Sequence, residues 1–243
     1  MSKKGYRLEV GGLRPKAKTY LWIFTLVFTL LSIHAKSQVA VIVNPTNLHA
    51  APDENSEVLD HLEVGFTIYI YYWDEEEYED WHIVEYDNDT FSRARVDSSI
   101  LTTKYKGYIS KDDLWYIEDL MTPDNVNLLE FTSEFDTSGH QVVSIMEKGE
   151  DYSYLDEPHW GTDGLLPSTQ VDSIIYFFKG NRFSIPHLLV SDIYNTEYDE
   201  FNVAYYPPYY IFEKGCSDGA GAYHLAWVFR DEELVQRLLV IPF

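Results

Sequence analysis

The stretch Ser173-Ile174-Ile175-Tyr176-Phe177-Phe178-Lys179-Gly180-Asn181 decides the fold class. Six residues rich in β-branched and aromatic side chains are too few for a helix and suit a strand. Lys179-Gly180-Asn181 then separates them from a second apolar run, with glycine able to take the positive φ of a tight turn. The same grammar recurs on both sides. Runs rich in Val, Ile, Tyr and Phe occupy 39–43, 67–73, 81–86 and 106–110, and again 141–146, 209–213, 223–229 and 234–241. Each is closed by Gly, Pro, Asn or Asp. Arg230-Asp231-Glu232-Glu233 joins the final pair as a hairpin. Helical signal is confined to one or two turns over 188–194. The chain is therefore expected to be mainly β, built from small barrels or sandwiches.

Met121-Thr122-Pro123-Asp124-Asn125 is the most turn-like stretch near the middle. Few strands continue through Pro followed by Asp and Asn. This predicts two β-rich domains, 38–120 and 126–243.

The first 37 residues have a different composition. They hold seven of the chain's 18 basic residues, an uncharged apolar run from Tyr20 to Ile33, and Ala35 and Ser37 at −3 and −1 of a cleavage point. A basic region, an apolar stretch of about 14 residues and small residues before the cut describe an export signal. A spanning helix would want about 20 apolar residues. Residues 1–37 are expected to be removed, leaving a protein that is periplasmic or secreted and holds no membrane segment. With them go the seven bases and one acid, Glu9, so 11 bases and 39 acids remain, a formal charge of −28. Such a chain repels nucleic acid and anionic lipid, both of which bind through Lys and Arg. High charge keeps proteins apart in solution and also suits a cationic partner. The single cysteine, Cys216, forms no internal disulfide, so the core must carry the stability.

Several residues of the first half fall in a known order. An apolar strand leads to Asn47-Leu48-His49-Ala50-Ala51-Pro52, then to Ser56-Glu57-Val58-Leu59 and Gly65. Trp81-His82-Ile83-Val84 follows a variable loop, and Gly107-Tyr108-Ile109 precedes Leu114. In this order and spacing residues 39–120 resemble a bacterial SH3-like domain, the type attached to cell-wall enzymes and other exported proteins. The resemblance implies a small barrel with Leu48 in its core, Trp81 packed across it, Gly65 at a sharp hairpin and Gly107 at a close strand approach. It also implies binding of cell-wall peptides. Where many members carry an arginine after the Asn-Leu pair, this chain has His49, Ala50 and Ala51, and its loop between Trp81 and Gly107 is long.

Asp74-Glu75-Glu76-Glu77-Tyr78-Glu79-Asp80 is the one low-complexity run. A solvated hairpin tip would account for it. The functional alternative is a docking loop in which Trp73 and Tyr78 offer flat apolar contact and Glu75, Glu76 and Glu77 supply charge, a combination suited to Lys or an amino group.

The second half loosely resembles an uncharacterised exported β-rich domain through three short segments: Trp160-Gly161-Thr162-Asp163-Gly164, Ser184-Ile185-Pro186 with Ser191-Asp192-Ile193-Tyr194, and Ser217-Asp218-Gly219-Ala220-Gly221-Ala222-Tyr223. No function attaches to the resemblance. Asp163, Asp192 and Asp218 raise calcium, but none stands in an alternating acidic loop, and Asp before Gly is common turn chemistry. Cys216 is followed by strand-like sequence and has only His224 downstream, unlike a thiol hydrolase with its cysteine opening a helix. No metal, cofactor or catalytic residue is expected. The expected function is that of a non-catalytic envelope protein binding cell-wall peptide or a protein. The alternatives are an acidic inhibitor or immunity-type protein bound to a basic enzyme and, more remotely, a wall hydrolase centred on Cys216.

Overall fold

A computed structural model describes residues 39–70, 78–87, 104–147, 150–157, 159–197 and 199–241. The expected export signal lies outside them. Among the described residues sixteen strands form four antiparallel sheets, so the mainly-β expectation holds. The first seven strands are β1 (Val39–Ile42), β2 (Thr46–His49), β3 (Val58–Leu62), β4 (Thr67–Ile70), β5 (Trp81–Asp87), β6 (Lys104–Ser110) and β7 (Leu114–Tyr116). They make one sheet in the order β3-β2-β6-β5-β4-β1-β7. β3 and β7 do not pair, so among the described residues the sheet is open and not the closed barrel that was expected.

Alternation assigns the faces of this sheet. Val84 lies opposite both Ile70 and Gly107, Ala40 opposite Ile68, and Ile42 opposite Leu114. With Leu48, Tyr86 and Ile109 these residues share one face of the sheet, and their side chains are almost wholly buried. A Cβ on Gly107 would sit 2.6 Å from the His49 carbonyl oxygen, which is the close strand approach anticipated there. Trp81 is a correction. Because His82, Val84 and Tyr86 take the inner positions of β5, Trp81 falls on the outer face, half-buried and edge-on to His49.

The other sheets come from the second half. β8 (Val126–Glu134), β11 (Thr169–Phe178) and β12 (Asn181–Ser184) form a three-stranded sheet. β9 (Val142–Glu147) and β10 (Glu150–Leu155) form a hairpin of their own. β13 (Asn202–Tyr206), β14 (Tyr209–Cys216), β15 (Tyr223–Arg230) and β16 (Glu233–Val240) follow one another in a meander. The 230–233 turn lies where expected, with Asp231 at positive φ. Of the expected helix only a short 3₁₀ turn, His187–Leu189, is present, because Pro186 and the return of the chain at Ile193 leave no room for more.

The meander is covered on both faces. Ala204, Ile211, Ala226, Val228, Leu238 and Val240 join the core of the seven-stranded sheet. Phe212, Leu225, Trp227, Phe229 and Leu239 join a second core with Leu128, Val171, Ile174 and Tyr176 of the three-stranded sheet. Tyr176 stacks on Phe229 with centroids 3.9 Å apart. The meander is thus sandwiched between the seven-stranded and the three-stranded sheets, and the expected boundary at 121–125 separates strands whose side chains share one core. Met121 itself bridges to Tyr205 across the turn.

Polar groups fix how the first two layers meet. Gln236 is 3 % exposed and donates from Nε2 to the Thr67 carbonyl (2.7 Å), while the Thr67 N–H donates to its Oε1 (2.8 Å). β5 pairs with β4 only at Tyr69 and Ile70, so the amide supplies the partner that the ladder lacks at Thr67. A register shift beside Val228 lets Val235 and Gln236 both serve this face. The Tyr206–Tyr209 hairpin clasps the same sheet. Tyr206 donates to the Val43 carbonyl at 3.1 Å, and the ring of Tyr209 lies on Gly65. Gly65 has φ +88°, and a Cβ there would come within 2.2 Å of that ring.

Removing the Gln236 amide strands a buried N–H and a buried carbonyl. Gln236→Leu is expected to cost about 2–4 kcal/mol in urea unfolding, and Gly65→Ala to be destabilising through its φ and the Tyr209 clash. Near-wild-type midpoints for both would show that this contact does not hold the layers.

Candidate functional site

The outer face of the seven-stranded sheet divides into two strips. Val39, Val41, Thr67 and Tyr69 on β1 and β4 lie under the meander, where the ring of Tyr69 meets His224. The strip formed by β5, β6 and β2 carries an aromatic cluster. His49 and Ile83 both lie opposite Tyr108 in register. Trp81 meets His49 edge-on with centroids 5.5 Å apart, and Tyr78 meets Tyr108 in the same way at 5.3 Å. His49 is 7 % exposed, with Nδ1 3.4 Å from the Ser56 hydroxyl, whereas Tyr78, Trp81 and Tyr108 are half-buried. The cluster is therefore an anchored floor with partly open rings above it.

Tyr78 is the last aromatic of the acidic run and the only one of its five candidate site residues within the described structure. Trp73, Glu75, Glu76 and Glu77 lie outside it. Glu79 and Asp80 are exposed beside the cluster, and the Asp80 carbonyl accepts from the Lys111 N–H at 3.0 Å, tying the end of the run to the sheet. Sequence reasoning missed Tyr108 as the neighbour of Tyr78 and His49 as the neighbour of Trp81. The signal available was alternation: Tyr108 flanks the inward Gly107 and Ile109, and so must face outward.

The three short segments of the second half come together. The Trp160 N–H donates to the Asp192 carbonyl (2.8 Å), and the Tyr194 N–H donates to the Trp160 carbonyl (3.0 Å). The Ser217 N–H donates to the Asn195 carbonyl and the Ser217 hydroxyl to the Gly161 carbonyl, both at 3.0 Å. Asn195 and Ser217, both at positive φ, line an open cleft of about 500 Å³ with Ser168, Glu197 and Asp218. The cleft's groups already serve the fold. Asn195 Oδ1 accepts from Ser168 and Thr169, its Nδ2 donates to the Gly161 carbonyl, and Glu197 accepts from Thr132. Asp192 holds the Arg237 guanidinium in a two-point contact at 2.6 and 2.9 Å. Among the described residues no group of three His, Cys, Asp or Glu is placed to hold a metal ion.

Cys216 is buried on β14 in the second core. Burial pushes its thiol up from the ordinary 9.0 to about 12, against the opposing pull of nearby Lys214. Lys214 is itself buried, with Nζ 3.0 Å from Glu130 and 2.6 Å from the Thr196 carbonyl. The thiol is thus protonated at neutral pH, because burial outweighs the pull of Lys214 and of the Tyr223 side chain. No known protein family, curated protein or solved structure matches this chain.

Two outcomes follow. Cys216 in the native protein should react with a thiol reagent at least about a hundredfold more slowly than in urea; comparable rates would place it at the surface. Burial also holds Tyr194 up to about 12 and Tyr223 well above its ordinary value. The unfolded chain releases these protons earlier, so it binds fewer protons than the native state above about pH 9. Stability should therefore fall as pH rises from about 9 towards 12, seen as a declining urea midpoint. A midpoint flat across that range would contradict the burial of these groups.

Proposed function

We propose that this chain is an exported, non-catalytic binding protein of the bacterial cell envelope, and that its seven-stranded sheet takes a cationic peptide on the outer strip of β5, β6 and β2. The observation that carries this reading is the half-exposed cluster of Tyr78, Trp81 and Tyr108 over buried His49, at the exit of the acidic run. Aromatic faces beside carboxylates attract a Lys side chain or a free amino group by charge and by the ring quadrupole. Cell-wall peptides carry such groups, and the resemblance of residues 39–120 to bacterial SH3-like domains supports the same ligand class. The basic, apolar N-terminus supports export.

A second reading, an acidic inhibitor of a basic enzyme, draws support from the formal charge of −22 for the whole chain. The two readings differ in salt dependence, since an inhibitor's association would be steered by long-range charge and would weaken steeply with ionic strength.

On the reading of the acidic run as a solvated docking loop, replacing Glu75, Glu76 and Glu77 by Gln should leave the melting temperature nearly unchanged, since substitutions at solvated positions usually alter stability by about 0.5 kcal/mol or less. Tyr108→Ala should likewise fold. Both variants should bind purified cell wall less than the native protein in pull-down. Undiminished retention in both would remove the site, and no enrichment of the native protein over a control of equal charge would remove wall binding.

A further inference from the structure

The three-stranded sheet sends only one of its faces into a core. Leu128 of β8 and Ile174, Tyr176 and Phe178 of β11 point into the second core. Alternation therefore turns Leu129 and Phe131 of β8 and Ile175 and Phe177 of β11 to the opposite face. The register agrees, with Leu129 opposite Ile175, Phe131 opposite Ser173, and Arg182 of β12 opposite Phe177. None of these residues belongs to either core. Leu129 is 39 % and Phe131 46 % exposed, while Ile175 in the middle of the group is 5 % exposed. The solvated face of an antiparallel sheet is ordinarily polar. Four contiguous apolar side chains on such a face mark a contact surface.

The two ends of this face carry opposite charge. Arg182, beside Phe177, is exposed and has no ion-pair partner among the described residues. At the other end the register shift between Val171 and Ser173 sets Asp172 next to Ser133, whose hydroxyl donates to its Oδ1 at 2.9 Å. Gln170 Nε2 donates to the same oxygen at 3.3 Å. Both donors are neutral and Asp172 is exposed, so its negative charge is uncompensated.

We propose that this face is the contact between two copies of the chain, related by a twofold axis that lies in the interface and runs across the strands. Such an axis reverses strand direction, so the Arg182 end of each copy meets the Asp172 end of the other. The same operation sets Leu129 over Phe131 of the partner subunit, and Phe131 over Leu129 of the partner subunit. An axis along the strands would oppose arginine to arginine, so charge selects the arrangement. A uniformly basic or acidic partner would be repelled at one end of the patch, whereas a second copy satisfies both ends. One three-stranded face is a small interface, so the dimer is a weak one. The surface belongs to a different sheet from the aromatic strip of β5, β6 and β2, so it stands or falls apart from the ligand proposed there.

The test is sedimentation of the mature protein over a concentration series reaching the high micromolar range, at physiological salt to screen its overall negative charge. A monomer–dimer equilibrium is expected. Leu129→Ser combined with Phe131→Ser should weaken it about tenfold or more, while Tyr108→Ala should leave it unchanged. Should the double serine variant fold poorly, the two exposed charges decide. Arg182→Glu and Asp172→Lys should each stay monomeric over the same range, because each opposes like charges at both contacts. Mixed in equal amounts, the two should form a heterodimer, since both contacts then join opposite charges. A native protein that stays monomeric throughout, a dimer indifferent to these substitutions, or a mixture no more associated than its components would each overturn the proposal.

Discussion

The structure depends on one sheet being buried on both of its faces. The β13–β16 meander contributes Ala226, Val228, Leu238 and Val240 to one core and Phe212, Leu225, Trp227 and Phe229 to the other. The two sides are differently built. Alanine, valine and leucine face the seven-stranded sheet on the first side, while on the second Phe229 stacks on Tyr176 and Phe212 meets it edge-on. A layer with no solvated face must also satisfy any polar group it carries. Gln236 does so through Thr67, Arg237 through Asp192 and the Leu189 carbonyl, and Lys214 through Glu130 and the Thr196 carbonyl. Burying paired charges is weak as a source of stability but strict as a register constraint, because a shifted strand would leave an unpaired ion in the interior.

This constraint explains which parts of the fold could be read from the sequence. The 223–229 run was legible because a strand buried on both sides is nearly continuous in apolar residues, and the 230–233 turn was legible from its four polar residues. β8 and β10 escaped notice: Asn127, Glu130, Thr132 and Glu134 interrupt the one, and Glu150, Asp151 and Ser153 the other, so neither is a continuous apolar run. The turn at 121–125 was read as a domain boundary because local chemistry marks where a strand must end. It does not reveal that strands on either side will share a core. Gln236 and Arg237 sit in the last strand with no local hint that their partners lie at Thr67 and Asp192, far away in sequence.

The candidate site was half legible. The acidic run and Tyr78 stand out by composition, but the neighbours that make a surface of them do not. Tyr108 and His49 come from strands β6 and β2, and they meet Tyr78 and Trp81 only because the sheet order places β2 beside β6 and β6 beside β5. The same order sets this strip beside the strands on which the meander lies, with β16 touching both β4 and the neighbouring β5. The Gly-rich segments of the second half, conspicuous in sequence, instead knot three loops together around Asn195 and Ser217. Their conspicuousness reflects the backbone conformations that such a junction needs.

The account stands on the two halves being one cooperative structure around the shared meander. Native-state hydrogen exchange across a urea series tests this directly, by comparing the slowest amides of β5, such as that of Val84, with those of β15, such as that of Trp227. The account predicts that both open with the same free energy and the same urea dependence, since neither side keeps a complete core without the other. An opening of the seven-stranded sheet at distinctly lower urea, with β15 still protected, would contradict it and restore two independent domains.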